Sequence, residues 1–248
     1  MSSTHRQPSH CRIWWARVTS ASSVPVASLD PDETRRRTAY RIDADRDRFT
    51  VGVWLSRLVL GEALGVPAQR VPLRRDCADC GKPHGRPRLT VPGPHISISH
   101  SGEWITVAVA DATPVGVDVQ ECDTASMVSL DAVLSPRELT GFRLLGPARR
   151  RAAFFTVWTR KEAVLKATGH GLRTPLADVE VTRPDRAAGV LAMADPPESG
   201  ISLSDLPSPT GYSAALAVLD TRVPVVSHHD GDELLRTSAS QNRDGATF

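Results

Sequence analysis

The stretch Phe154-Phe155-Thr156-Val157-Trp158-Thr159-Arg160-Lys161-Glu162-Ala163-Val164-Leu165-Lys166 constrains this chain more than any other. Between Arg149 and Lys166 there is no Gly or Pro, and apolar residues recur at helical spacing. Gly169 and Gly171 follow as natural helix stops. The spacing predicts one helix. At about 100° per residue, Phe154, Trp158 and Leu165 share a stripe, with Phe155, Glu162 and Lys166 along an adjacent one. A carboxylate and an amine thus lie one turn apart at the edge of a core-facing surface. Taken alone, such a pair is most often solvated and worth a few tenths of a kcal/mol. The earlier part of the chain makes it more than that.

With 248 residues, 40% hydrophobic and 23% charged, the chain can bury a substantial core as one large domain or two small ones. A net charge of +2 leaves no global attraction for nucleic acid, so any cationic site must be local. Residues 1–18 hold no continuous apolar segment and nothing later reaches the length of a membrane span; a cytoplasmic protein without membrane contact is expected. Cys11, Cys77, Cys80 and Cys122 do not make a disulfide framework, and reduced thiols are expected.

Along the chain, Cys11 to Val18 and Val24 to Leu29 read as short strands. Asp30-Pro31-Asp32-Glu33 opens a helix with an N-cap, a first-turn proline and first-turn acids. Arg35, Arg36, Arg37, Arg41, Arg46 and Arg48 follow, interleaved with Asp43, Asp45 and Asp47. That cluster is either a solvated helix face or the cationic side of a phosphate site. From Asp47 to Leu64, Phe49, Val53, Leu60 and Leu64 predict a second amphipathic helix, with Arg57 among them, ending near Gly65. The loop from Arg74 to Arg88 contains Cys77, Cys80 and His84, three possible zinc ligands without an obvious fourth, so non-ligating thiols are the expectation.

His95 to His100 and Trp104 to Ala110 alternate as strands around a Ser101-Gly102-Glu103 turn, and Val115 to Gln120 forms another. Alternation puts Asp118 on the face of Gly116 and Gln120, opposite Val117 and Val119. A lone strand Asp is most often an edge charge or a cap. Ser135-Pro136-Arg137-Glu138 is a capping-box start for a helix to about Leu145. Beyond Gly171, Leu176 to Val181, Gly189 to Ala192, Ile201 to Leu203 and Tyr212 to Leu219 read as strands. Residues 227–248 lack periodicity and read as a disordered tail, with His228 and His229 solvated.

Four signals come in order: Gly85-Arg86-Pro87, then Ile98-Ser99-His100-Ser101, then Val115-Gly116-Val117-Asp118-Val119-Gln120, then Trp158-Thr159-Arg160-Lys161-Glu162-Ala163-Val164-Leu165-Lys166. The ordered set resembles the surfactin-type 4'-phosphopantetheinyl transferases, whose motifs are a G-K-P-like loop, N-(I/L)-S-H-S, (I/V)-G-(I/V)-D and W-x-x-K-E-(A/S)-x-x-K. It spans roughly Arg35 to Leu172. The resemblance implies an α+β fold of two similar halves related by a pseudo-twofold, with the ligand cleft between them. The halves would be 11–112 and 113–226.

It further implies a Mg²⁺-dependent transferase that moves the phosphopantetheine arm of coenzyme A onto a serine of an apo acyl or peptidyl carrier protein, releasing 3',5'-ADP. Carrier-protein activation for secondary-metabolite biosynthesis is the implied setting, and a monomer is expected. By the same resemblance Asp118 and Glu162 bind Mg²⁺ with Gln120 at the third metal position, and Glu162 or a metal-bound water helps deprotonate the acceptor serine. Lys161 and Lys166 contact phosphates. Arg86, Ser99 and His100 hold the nucleotide, with a basic residue near Arg36 at the 3'-phosphate.

The chemistry suits these residue types, because attack on a pyrophosphate needs hard oxygen ligands, cations for the phosphates and a base. Two positions depart from the family pattern: Gln120 replaces a frequent Glu and removes a negative charge, and Arg86 stands where Lys is frequent. Two rival readings stay open. A Mg²⁺-dependent nuclease would also use two carboxylates and a lysine, although its usual E-x-K has the period of a strand and Glu162-x-x-x-Lys166 that of a helix. A zinc-supported nucleic-acid or protein-binding module would rest on Cys77, Cys80, His84 and the arginines.

Overall fold

In the computed structural model, which describes residues 9–77, 80–82, 85–123 and 129–244, two sheets are packed together and each outer face carries a long helix. Strand β1 is His10–Arg17. Helices α1 (Pro31–Ala39) and α2 (Asp43–Leu64) follow. A small ladder pairs β2 (Leu73–Arg74) with β3 (Arg88–Leu89), closing the arginine-rich loop. Then come β4 (His95–Ser101), β5 (Trp104–Ala110) and β6 (Val115–Glu121), close to the ranges that alternation predicts. Helices α3 (Leu130–Val133), α4 (Pro136–Arg143) and α5 (Pro147–Thr168) lead to β7 (Glu180–Val181), β8 (Val190–Ala192), β9 (Ser202–Asp205) and β10 (Tyr212–Val218). The chain ends with β11 (Val225–Asp230) and α6 (Gly231–Asp244).

The first sheet runs β11-β1-β5-β4 and the second β6-β10-β9; β1 and β11 are parallel, while the other pairs are antiparallel. In β5, Ile105, Val107 and Val109 face α2, whereas Ala108 and Ala110 face the second sheet. Burial on both faces explains why β5 is nearly uninterrupted in its apolar character. On β6, Val115, Val117 and Val119 enter the core between the sheets, which turns Gly116 and Asp118 toward α5. There Gly116, Ala215 and Ala217 present a flat surface of small residues against Phe154, Phe155, Ala163 and Leu165.

Helix boundaries follow local chemistry. The Asp30/Glu33 and Ser135/Glu138 capping boxes both form, and α2 and α5 stop at Gly65 and Gly169, whose φ angles of 66° and 78° suit glycine. Arg57, 2% exposed, bonds Glu33 at 2.8 Å and Asp30 at 2.7 Å, so α1 is tied to α2 through its own capping carboxylates.

Two segments differ from expectation. Val24 to Leu29 is not a strand; 3₁₀ turns occupy Val18–Ser23 and Val26–Ser28, with Val24 and Leu29 buried in the first core. Pro25 lacks the N–H a ladder requires. The segment from residue 227 is not a loose tail over its described length. It completes β11 beside β1 and continues as α6, where Leu235 is fully buried. An exposed edge strand shows no alternation, so its sequence looks like a tail. His229 stacks on Trp14 at 4.8 Å, and His228 Nδ1 accepts from Trp15 Nε1 at 3.3 Å. Among the described residues no helix is long and apolar enough to cross a membrane.

Candidate active site at the junction of the sheets

β4 and β6 are the facing edges of the two sheets, and α5 lies over β6. Where the three meet is a cleft of about 300 Å³ lined by Ile98, Ser99 and His100 of β4, Asp118, Val119 and Gln120 of β6, and Trp158, Glu162 and Lys166 of α5. Trp158, Glu162 and Lys166 share a face because they sit four residues apart. Gly116 brings that face close: a Cβ there would lie 2.0 Å from the Ala163 carbonyl oxygen and 2.4 Å from the Ala167 nitrogen.

Asp118 is 5% exposed. Its Oδ1 accepts from Ser99 Oγ at 2.7 Å and from Lys166 Nζ at 2.5 Å, and Lys166 also donates to Ser99 Oγ at 3.0 Å and the Val117 carbonyl at 3.2 Å. Asp118 Oδ2 is buried without a partner among the described residues. A buried carboxylate oxygen left this way costs free energy and is the natural place for a cation. Burial raises the Glu162 pKa above its ordinary value; Lys166 opposes this and Asp118 adds to it. Desolvation of the ring, then the Lys166 and Arg48 cations, lower the His100 pKa from its ordinary value to about 4.

The donor set of Asp118, Glu162 and the Gln120 amide oxygen consists of hard oxygens and suits Mg²⁺. Among the described residues no group of three or more His, Cys, Asp or Glu forms, so this charge comes from two carboxylates. His84 of the Cys77, Cys80 and His84 set lies outside the described residues.

Not every residue singled out by sequence joins the cleft. Lys161 is fully buried on another side of α5, donating to Glu138 Oε2 at 2.5 Å and the Val133 carbonyl at 2.6 Å. It ties α5 to α3 and α4 and does not line the cleft. Burial lowers its pKa, and Glu138 opposes that. Arg160 is likewise buried and grips Asp205. Arg86 does not line the cleft; its two terminal nitrogens donate to the Ala167 and Val115 carbonyls at 3.0 and 2.9 Å, holding the loop to α5 and β6.

Arg36 lies at a separate cavity of about 400 Å³ formed by α1 and the β2 loop, lined by Arg35, Arg74 and Arg75 and by the acids Asp30, Asp32, Glu33 and Asp76. Arg36 Nη1 and Arg75 Nε are buried without partners among the described residues, and burial, then Arg36, lower the Arg75 pKa to about 10. Other members of the arginine cluster are locally paired: Arg46 with Asp43 and Arg48 with Asp45. Sequence reading passes over Arg75, whose adjacency to Arg36 needs the β2 turn. It also passes over Ser97 and Ser101, although a period of two in Ser97-x-Ser99-x-Ser101 marks one strand face.

Residues 114–217 match the family profile described as the 4'-phosphopantetheinyl transferase superfamily. A phosphopantetheinyl transferase from Thraustochytrium sp. is 30% identical over 242 residues, covering 88% of this chain and 77% of its own. The chain belongs to this superfamily. Two bacterial members show the same relation: 4'-phosphopantetheinyl transferase HetI from Nostoc sp. is 34% identical, covering 63% of this chain and 65% of its own. The 4'-phosphopantetheinyl transferase psf-1 from Bacillus pumilus is 29% identical, covering 69% and 70%. The profile match includes β6 and α5, the two elements that bear Asp118, Glu162 and Lys166.

Proposed function

We propose that this member of the superfamily transfers the 4'-phosphopantetheine arm of coenzyme A to a serine of an apo carrier protein, with the cleft between β4, β6 and α5 as its active site. The observation that carries this is the buried, unpartnered Asp118 Oδ2 beside Glu162 and Lys166, on elements within the family match. Asp118 and Glu162 would hold Mg²⁺, with the Gln120 amide oxygen as a neutral third donor. When bound, Mg²⁺ supplies positive charge for the pyrophosphate oxygens.

The serine oxygen forms a bond to the phosphorus that carries pantetheine. The bridging P–O bond breaks, and 3',5'-ADP leaves with the electron pair. Glu162 takes the serine proton, a role suited to a carboxylate whose pKa burial has raised. Lys166 pairs with Asp118 Oδ1 at 2.5 Å. His100 stands at the exposed rim for the nucleotide, and the guanidinium groups of Arg36 and Arg75, which line the neighbouring cavity, would meet its 3'-phosphate.

We also read residues 11–112 and 113–226 as two halves related by an approximate twofold, since each carries a 22-residue helix across a sheet. The protein is expected to act as a cytoplasmic monomer. Incubation with coenzyme A, Mg²⁺ and a panel of apo acyl and peptidyl carrier proteins tests the function. One carrier should gain a single phosphopantetheine mass with equimolar 3',5'-ADP release. No mass gain on any carrier by folded protein would overturn it.

A further inference from the structure

The two sheets approach each other along β4 and β6 without a main-chain ladder. Three serine hydroxyls take its place. Val117 N donates to Ser97 Oγ at 3.1 Å, Val119 N to Ser99 Oγ at 3.3 Å, and Glu121 N to Ser101 Oγ at 3.0 Å. The offset is constant along the strands, so alternate serines of β4 accept from alternate amides of β6. Ile96 and Ile98, on the opposite face of β4, pack toward the first core.

The middle rung differs from the other two. A serine hydroxyl has one proton to donate and two lone pairs. At Ser99 all are used: the proton goes to Asp118 Oδ1, and the lone pairs accept from Val119 N and Lys166 Nζ. Lys166 likewise spends its three protons on Asp118 Oδ1, Ser99 Oγ and the Val117 carbonyl. Ser99 is 6% exposed. Its saturated geometry fixes one oxygen of Asp118 and leaves the other, Oδ2, as the unpartnered one.

We propose that Ser99 is a positioning residue for the Asp118 carboxylate, and that Ser97 and Ser101 are purely structural rungs of the same ladder. This rests on the reading of Asp118 as a metal ligand. Groups that orient a metal ligand typically change metal affinity by about 10- to 100-fold when removed. Ser99→Ala should therefore weaken metal binding by about that factor and lower kcat. Ser97→Ala and Ser101→Ala remove rungs that do not touch Asp118 and should leave metal affinity within about threefold.

The test measures direct Mn²⁺ binding by electron paramagnetic resonance and Mg²⁺ binding by calorimetry. Steady-state transfer kinetics and thermal unfolding are run on the same protein. Ser99→Cys, close in size but a weak donor, serves should Ser99→Ala fail to fold, and is expected to lose metal affinity by tenfold or more. Parental metal affinity in a folded Ser99 variant, or a rise confined to the KM for coenzyme A, overturns the proposal. So does equal loss of metal affinity at Ser97, Ser99 and Ser101, which would make the ladder merely structural. A parent protein that binds neither ion and transfers nothing would defeat the underlying metal reading instead.

Discussion

Replacing Gly116 with alanine perturbs the contact that sets the width of the cleft. The added Cβ would sit 2.0 Å from the Ala163 carbonyl oxygen, 2.4 Å from the Ala167 nitrogen and 3.0 Å from the Ala163 carbonyl carbon. These are main-chain atoms in the last two turns of α5 and cannot rotate away as a side chain could. Ordinary heavy-atom contacts lie near 3.5 Å, so β6 and α5 must separate by about 1.5 Å. Overpacking of a core by one carbon costs about 1–3 kcal/mol, and a rigid partner puts this case at the upper end, about 3 kcal/mol. The same displacement moves Glu162 and Lys166, each one residue before a clashing position, away from Asp118, two residues after the glycine. Misplacement by about 1 Å costs on the order of 100-fold in rate.

Urea unfolding gives the stability change, and the mass-shift assay at saturating coenzyme A gives the rate. Gly141→Ala is the control, since a Cβ there meets nothing within 4 Å and α4 should gain about 0.5–1 kcal/mol of helix propensity. Gly116→Ala with parental stability and a rate within twofold of the parent's would refute the contact as the spacer of the site.

Lys161→Met should lower stability by about 3–5 kcal/mol by stranding Glu138, yet leave the KM for coenzyme A of the folded fraction unchanged; a selective rise in that KM would restore the phosphate role. Asp118→Ala and Glu162→Ala should abolish transfer, Gln120→Ala should cost far less, and Gln120→Glu should lower the Mg²⁺ needed for half-maximal rate, all read by Mg²⁺ titration of initial rates. Arg36→Ala should weaken coenzyme A more than dephospho-coenzyme A, measured by calorimetry; equal losses would move the 3'-phosphate elsewhere. His100 has a folded pKa below its unfolded one, so stability is lost as pH falls from about 6.5 toward 4 while the unfolded chain takes up the proton. Thermal unfolding across that range should therefore show a shallower decline for His100→Asn.

What the sequence carries best is what neighbouring residues decide among themselves. The Asp30 N-cap, the Ser135/Glu138 capping box, the glycine stops after α2 and α5, and the alternation of β4, β5 and β6 are interactions within a few residues, and each forms near its predicted position. Asp118, Glu162 and Lys166 meet as their motifs imply, since one strand and one helix face suffice to carry them. Lys161 shows where this reasoning stops. It is one residue from Glu162, about 100° around the helix, and only the packing of α3 and α4 against α5 reveals that its side is closed. The β11 strand stops it differently. Its partner β1 lies at the other end of the chain, and pairing at an exposed edge leaves no hydrophobic period to read.

The serine ladder lies between these cases. Its period of two is visible, but whether those hydroxyls meet solvent or the amides of another strand depends on the register of β4 against β6, which no local rule supplies. That register has a chemical consequence at Ser99. Shifted by one residue, β4 would turn an isoleucine toward β6, leaving the Asp118 carboxylate without its hydroxyl donor and Lys166 without one of its three acceptors. The alternation of isoleucine and serine therefore serves two ends at once: the isoleucines hold β4 to the first core, and the serines align the second sheet against it. Orientation of the Asp118 carboxylate is thus bound to the docking of the two sheets, and a change that loosens the docking should disturb the site before it unfolds either core.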